Sequence, residues 1–131
     1  MTEMFDMVVV GGGPSGATAA NDLACQGFKV MLLDRMGRIK PCGGAVPPRL
    51  LKDFDVPMEL LCTTANSARM ISPRDNKVDM PVGEGGWVGM VDRDVFDEWL
   101  RARAAKNGAD RRDGTFEALE RDADGTAIVC Y

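Results

Sequence analysis

The feature that most constrains this chain is a glycine turn near its start, Gly11-x-Gly13-x-x-Gly16, set between an apolar run and an alanine-rich stretch. Residues 4–10 predict a short strand buried on both faces. Residues 14–26 predict a helix that ends at Gly27, as helices commonly end at glycine. Residues 28–33 predict a second apolar strand, stopped by Asp34. Strand, glycine turn, helix and strand form one βαβ unit, and such crossovers are right-handed. In a unit of this kind each glycine has a separate task. Gly11 permits the tight turn out of the strand, Gly13 lets the backbone approach a pyrophosphate, and Gly16 lets the helix pack closely on the strand. The start of the helix directs free N–H groups and the positive end of its dipole at the phosphates.

A bare pattern of three glycines is equally compatible with a flexible loop, so the context decides. The motif follows a predicted strand and opens a predicted helix. Ala20, four residues after Gly16, keeps the same helix face small. Asp34 stands 23 residues after Gly11, near the ~20 expected for a ribose-binding acid. Its carboxylate can accept both ribose hydroxyls of an adenosine. It repels a 2′-phosphate, although Arg35 beside it can offset that repulsion. These residues therefore predict FAD or NAD, with NADP disfavoured at this site.

Residues 36–48 read as a glycine- and proline-rich loop and 49–54 as a short helix. Residues 68–72, 77–82 and 87–91 read as short strands of an antiparallel excursion. Residues 92–107 predict a second good helix, with Val95, Phe96, Trp99, Leu100 and Arg103 at helical spacing, the arginine stem covering apolar surface. Residues 114–119 are expected to form the third parallel strand, and 126–131 another strand. Doubly wound folds have about six sheet strands. With three parallel strands legible here, the expectation is an incomplete domain over residues 1–131, the N-terminal part of a longer protein whose substrate domain is missing, and inactive on its own.

Composition removes several function classes. The net charge is −4 and the isoelectric point is about 4.8, which argues against a nucleic-acid binder with a general basic face. The chain has no histidine, and its four cysteines (Cys25, Cys42, Cys62 and Cys130) form no CxxC pair, so no metal site is expected. The start lacks a basic region followed by an apolar stretch, and no apolar run reaches the ~18 residues of a membrane span. The expected location is the cytoplasm, with reduced thiols.

Beyond the glycine turn, longer segments carry a family resemblance. Residues 8–20, VVVGGGPSGATAA, with Leu32-Leu33-Asp34-Arg35, resemble the opening signature of two-dinucleotide-binding flavoproteins. Residues 37–49, GRIKPCGGAVPPR, and 89–97, GMVDRDVFD, resemble the FAD-dependent geranylgeranyl reductases in order and spacing, nearest to the bacteriochlorophyll and chlorophyll branch. The resemblance implies a Rossmann-like α/β FAD-binding fold with an antiparallel β excursion. It implies FAD as cofactor, NADPH as reductant, and reduction of the geranylgeranyl tail of a pigment to phytyl. A prenylated pigment as partner implies peripheral association with a photosynthetic membrane.

The resemblance also implies residue roles. Gly11, Gly13, Ser15 and Gly16 would cradle the pyrophosphate, and Asp34, with Arg35 beside it, would hold the ribose. Cys42, Gly43, Gly44 and Ala45 would lie beside the flavin, where glycines let a backbone approach a flat ring. Arg93 would contact FAD at the start of the second helix, and Phe116, on the third strand, would lie near the adenine. An isolated prenyl alkene needs a proton on the carbon opposite the hydride. With no histidine in the chain, the candidate donors are Cys42, water or a residue elsewhere. Two further readings share the first motif: an archaeal-type reductase of prenylated glycerolipids, and an FAD-dependent aromatic monooxygenase, which the Cys-Gly-Gly segment fits poorly. The bland readings are Cys42 as a small packing side chain, Arg93 as a solvated cation, and Arg111-Arg112 as solvated charge.

Overall fold

The structure, a computed structural model, describes residues 2–37 and 40–131. Arg38 and Ile39 of the family-like loop segment lie outside the described residues. The chain divides into two compact units, Met1–Ile39 with Asp97–Tyr131, and Lys40–Phe96.

In the first unit, strand β1 (Met7–Val10) leads through the glycine turn into helix α1 (Pro14–Cys25) and strand β2 (Val30–Asp34). β1 and β2 pair in parallel, Val10 opposite Leu33, as the βαβ reading requires. The apolar positions fall where the helix meets the sheet. Ala17 and Ala20 of α1 and Leu32 of β2 are wholly buried. Each fully buried Leu or Val contributes roughly 1.5–3 kcal/mol relative to exposure. The expectation of burial on both faces holds for β2 and not for β1, where Met7 and Val10 are exposed. β2 lies between two ladder partners, whereas β1 pairs with β2 alone among the described residues.

The third parallel strand is not where apolar patterning put it. The strand that pairs with β2 is β8 (Asp110–Asp113), with Met31 opposite Asp110 and Asp34 opposite Asp113. Its side chains are charged and held by ion pairs, so hydropathy gives it no strand signal. Residues 114–117 form a loop, and β9 (Ala118–Arg121) turns back to pair antiparallel with β10 (Ala127–Cys130). Phe116 therefore sits in the loop after β8, exposed, rather than on a parallel strand.

In the second unit, the expected antiparallel excursion is present as two small sheets. Strands β3 (Ala45–Val46) and β4 (Leu61–Ala65) flank β7 (Val88–Val91). Strands β5 (Ser67–Ile71) and β6 (Lys77–Pro81) form a hairpin. β3 and β4 were not legible in the sequence. β3 is two residues long inside a Gly/Pro-rich loop, and β4 is mostly exposed and does not alternate. The short helix α2 (Pro48–Asp53) falls where expected.

Helix α3 (Arg93–Lys106) begins at the end of the second unit and runs into the first. Asp92 caps it: its carboxylate accepts the Asp94 N–H at 3.0 Å, and its carbonyl accepts the Phe96 N–H at 2.8 Å. Phe96, Leu100 and Ala104 are its buried apolar positions and Asp97 is buried as well, while Val95 is exposed. Arg103 does lay its guanidinium over an apolar surface, 4.7 Å from the Trp99 ring centre.

Candidate functional site

The glycine turn has the geometry of a cradle. Gly11 adopts φ +102°, a left-handed conformation that favours glycine. A Cβ on Gly16 would overlap the Gly11 carbonyl oxygen, so the helix lies as close to the turn as backbone allows. A Cβ on Gly13 would meet nothing within 4 Å. Gly13 is thus open to a ligand without being needed for packing. Gly13 caps α1 without a side-chain hydrogen bond, Pro14 opens the helix, and no acidic residue occupies its first turn. The N–H groups and positive dipole end at this helix start are accordingly available to an anion. Ser15 is exposed on that first turn. These features fit the pyrophosphate of a dinucleotide.

Asp34 ends β2, two residues from a tight crossing to β8: the Met36 N–H donates to Asp113 Oδ1 at 2.9 Å, and the Gly114 N–H donates to the Asp34 carbonyl at 3.1 Å. Its carboxylate does not stand alone. Arg101 of α3 places Nε 3.3 Å from Asp34 Oδ2 and donates from the same atom to the Gly12 carbonyl at 2.8 Å. Arg101 also pairs with Glu98 at 3.2 Å, and the Glu98 carboxylate accepts from both terminal nitrogens of the Arg111 guanidinium at 2.7 and 2.8 Å. That bidentate bond holds the Glu98 carboxyl below its usual range, against the opposing effect of burial. Asp34, Arg35, Met36, Gly37, Glu98 and Arg101, with Arg111, Arg112 and Asp113, line an open cleft of about 550 Å³.

Arg111 and Arg112 are therefore not simply solvated charges. Arg112 donates to Asp110, Glu3 and the Tyr131 hydroxyl, and these bonds raise its guanidinium pKa well above the ordinary value. Gly12 and Arg101, which complete this arrangement, were missed by sequence reasoning. Gly12 is the unassigned middle position of the glycine motif. Arg101 had one signal, a basic residue three positions after Glu98 on a predicted helix, the spacing of an ion pair, and that signal is weak.

Phe116 lies in the first unit, and the residues expected beside the flavin lie in the second. Cys42 is exposed, and its Sγ accepts the Gly44 N–H at 3.4 Å. Gly44 has φ +73°, and a Cβ there would overlap the Val91 carbonyl oxygen. The Val91 N–H donates back to the Gly44 carbonyl at 2.8 Å, and Ala45 pairs with Met90 in the β3–β7 ladder. The two segments that carried the family resemblance, 37–49 and 89–97, are thus hydrogen-bonded neighbours through Gly44 and Ala45. Gly43 is exposed next to Cys42. Arg93 is the first residue of α3 and half-buried.

Comparison with known proteins agrees with this geometry. Residues 9–72 match the family described as NAD(P)-binding Rossmann-like domain. The geranylgeranyl diphosphate reductase of Rhodobacter capsulatus is 60% identical over 95% of this chain, which spans 32% of that relative. The chloroplastic geranylgeranyl diphosphate reductase of Arabidopsis thaliana is 40% identical over 87% of the chain, which spans 25% of it. The crystal structure of a geranylgeranyl bacteriochlorophyll reductase-like protein from Thermoplasma acidophilum superposes with a TM-score of 0.81 at 27% identity, covering 92% of this chain and 33% of that one. The chain spans between a quarter and a third of the length of these relatives. The resemblance to geranylgeranyl reductases and the Rossmann-like α/β fold with antiparallel sheets are both borne out. No described helix is long and apolar enough to cross a membrane.

Proposed function

We propose that this chain, similar to geranylgeranyl reductases over 95% of its length, is the FAD-binding part of an enzyme that reduces the geranylgeranyl tail of a chlorophyll or bacteriochlorophyll to phytyl with NADPH. The observation that carries the reading is the glycine cradle, open at Gly13 and closed at Gly16, with Asp34 at the end of the next strand. The 60% identity to a bacterial geranylgeranyl diphosphate reductase supports the substrate class.

In this reading Gly11, Gly13, Ser15 and Gly16 hold the pyrophosphate through backbone N–H groups at the start of α1. Asp34 accepts the adenosine ribose hydroxyls, and the cleft beside it, with Arg35 at its edge, receives the adenosine. Phe116, in the loop after β8, is assigned to the adenine side. Cys42, Gly43, Gly44, Ala45 and Arg93 are assigned to the flavin, on the strength of the two family-like segments that meet in the β3–β7 ladder. Bound FAD supplies hydride chemistry that no side chain here possesses. The protein's own part is to fix the cofactor, exclude water and deliver a proton to the alkene carbon opposite the hydride. Cys42 is the candidate within this chain for that proton. The prenyl tail places the enzyme at the surface of a photosynthetic membrane.

The test is a turnover assay on the protein that carries this chain, supplied with NADPH and either a geranylgeranylated pigment or free geranylgeranyl diphosphate. Phytylated pigment, with flavin retained through purification, is the expected result. Reduction of the free diphosphate alone moves the substrate assignment, and absence of bound flavin removes the reading.

A further inference from the structure

Arg101 serves neither the pyrophosphate cradle nor the flavin assignments, yet it is the most buried of the arginines around the adenosine cleft, its side chain 13% exposed. Its Nε donates to the Gly12 carbonyl at 2.8 Å and lies 3.3 Å from Asp34 Oδ2. The space is fully used: a Cβ on Gly12 would stand 2.7 Å from Asp34 Oδ2 and 3.1 Å from Arg101 Nε. One guanidinium thus fastens the middle of the glycine turn to the carboxylate at the end of β2. Behind it Glu98 links Arg101 to Arg111 on β8, so the guanidinium is itself held from the far side.

We propose that Arg101 is a positioning residue for ribose recognition, fixing one oxygen of Asp34 against the glycine turn so that the other is presented to the adenosine hydroxyls. The inference rests on Asp34 being the ribose-binding carboxylate. An aspartate at a strand end has two rotatable bonds and several accessible orientations, only some of which direct an oxygen at a ribose. Arginine suits the task because its Nε–H, fixed in a rigid plane, donates to the carbonyl while the same delocalised cation lies against the carboxylate. Lysine, a point charge on a flexible stem, does not fix both. Gly12 is then glycine for a reason of its own, since any side chain there would push the carboxylate and guanidinium apart.

The experiment compares FAD with FAD built on 2′-deoxyadenosine, each titrated into the flavin-stripped protein, with dissociation constants read from flavin fluorescence. Wild type is expected to favour the ribose form by about tenfold or more, the value of a hydrogen bond to a charged group. Arg101→Gln and Gly12→Ala are expected to shrink that preference to within about threefold. Adding Asp34→Asn to either is expected to change it little further. Arg101→Lys should restore only part of it. If Arg101→Gln and Gly12→Ala weaken both cofactors equally and leave the preference intact, Arg101 is a structural brace and the proposal is overturned. Should Arg101→Gln prove unfolded, Gly12→Ala and Arg101→Lys decide alone by the same ratio. A wild type that binds FAD with no preference for the ribose overturns the Asp34 assignment beneath the proposal. A wild type that binds neither form overturns the FAD reading itself.

Discussion

Gly16 packs so closely on Gly11 that an added Cβ would overlap the Gly11 carbonyl oxygen. Gly13, three residues earlier in the same turn, has nothing within 4 Å of the equivalent position. The two glycines therefore fail in different ways. Gly16→Ala should damage the fold, because the obstacle is backbone and cannot swing away, with a loss of about 1–3 kcal/mol as for overpacking. Thermal melting of the flavin-free protein measures it, and an unchanged melting temperature contradicts the packing argument.

Gly13→Val should leave that melting temperature close to wild type while abolishing flavin retention, because its branched side chain enters only the space proposed for the pyrophosphate. Full flavin retention in Gly13→Val, measured as the flavin-to-protein absorbance ratio after purification, removes the cradle assignment.

Asp34→Ala should weaken FAD binding by about 1.5–3 kcal/mol, the range for hydrogen bonds to a charged group. It also removes one of the two carboxylates paired with Arg101, leaving the Gly12 carbonyl and Glu98. The loss should therefore show in cofactor affinity more than in stability, and a titration beside a melting curve separates the two.

Glu98 gives a pH dependence with a definite sign. Its bidentate bond to Arg111 holds the carboxyl below the ordinary value of 4.5. A depressed folded-state value means that the stabilisation is present above about pH 4.5 and is lost as pH falls through the folded value. Glu98 is half exposed, so the pair contributes only the ~0.2–1 kcal/mol of surface ion pairs. Glu98→Gln should therefore melt slightly below wild type at pH 7, and the gap should narrow as pH falls below 4.5 toward the depressed folded value. A gap that stays constant across that range assigns the bridge no electrostatic role.

The parts of the fold that were legible in the sequence are those written in apolar period and glycine. The βαβ unit was readable because residues 4–10 and 28–33 form apolar runs and because Gly11, Gly13 and Gly16 each have a distinct backbone duty. β8 was not, because its strand is Asp-Arg-Arg-Asp and is held by Glu98, Glu3 and Tyr131, partners distant in sequence that no local pattern reveals. The same limit hid Arg101, whose significance is its approach to Gly12, 89 positions away. Phe116 was misplaced for the converse reason: an aromatic residue in an apolar stretch reads as strand, while the chain turns there to form the β9–β10 hairpin. The contact of the Cys-Gly-Gly segment with β7 was implied only by resemblance, since nothing in residue spacing pairs Gly44 with Val91.

The remaining prediction concerns Cys42. Its thiol lies exposed beside a turn that Gly44 pins to Val91, with Sγ accepting the Gly44 N–H at 3.4 Å. A hydroxyl can accept the same N–H, so Cys42→Ser should keep the turn, and Cys42→Ala should lose the weak sulfur-mediated bond to the Gly44 N–H. Neither substitution touches the glycine cradle or Asp34, and both variants should bind FAD as wild type does. If the thiol delivers the proton in alkene reduction, both variants should slow that half-reaction by about 10²–10⁴-fold, the usual worth of a positioned acid. Partly reduced tails should then accumulate, while flavin reduction by NADPH stays near wild type. Flavin absorbance follows the first half-reaction, and mass analysis of the tail follows the second. Tail products and rates equal to wild type in both variants leave Cys42 as part of the turn and move the proton donor elsewhere.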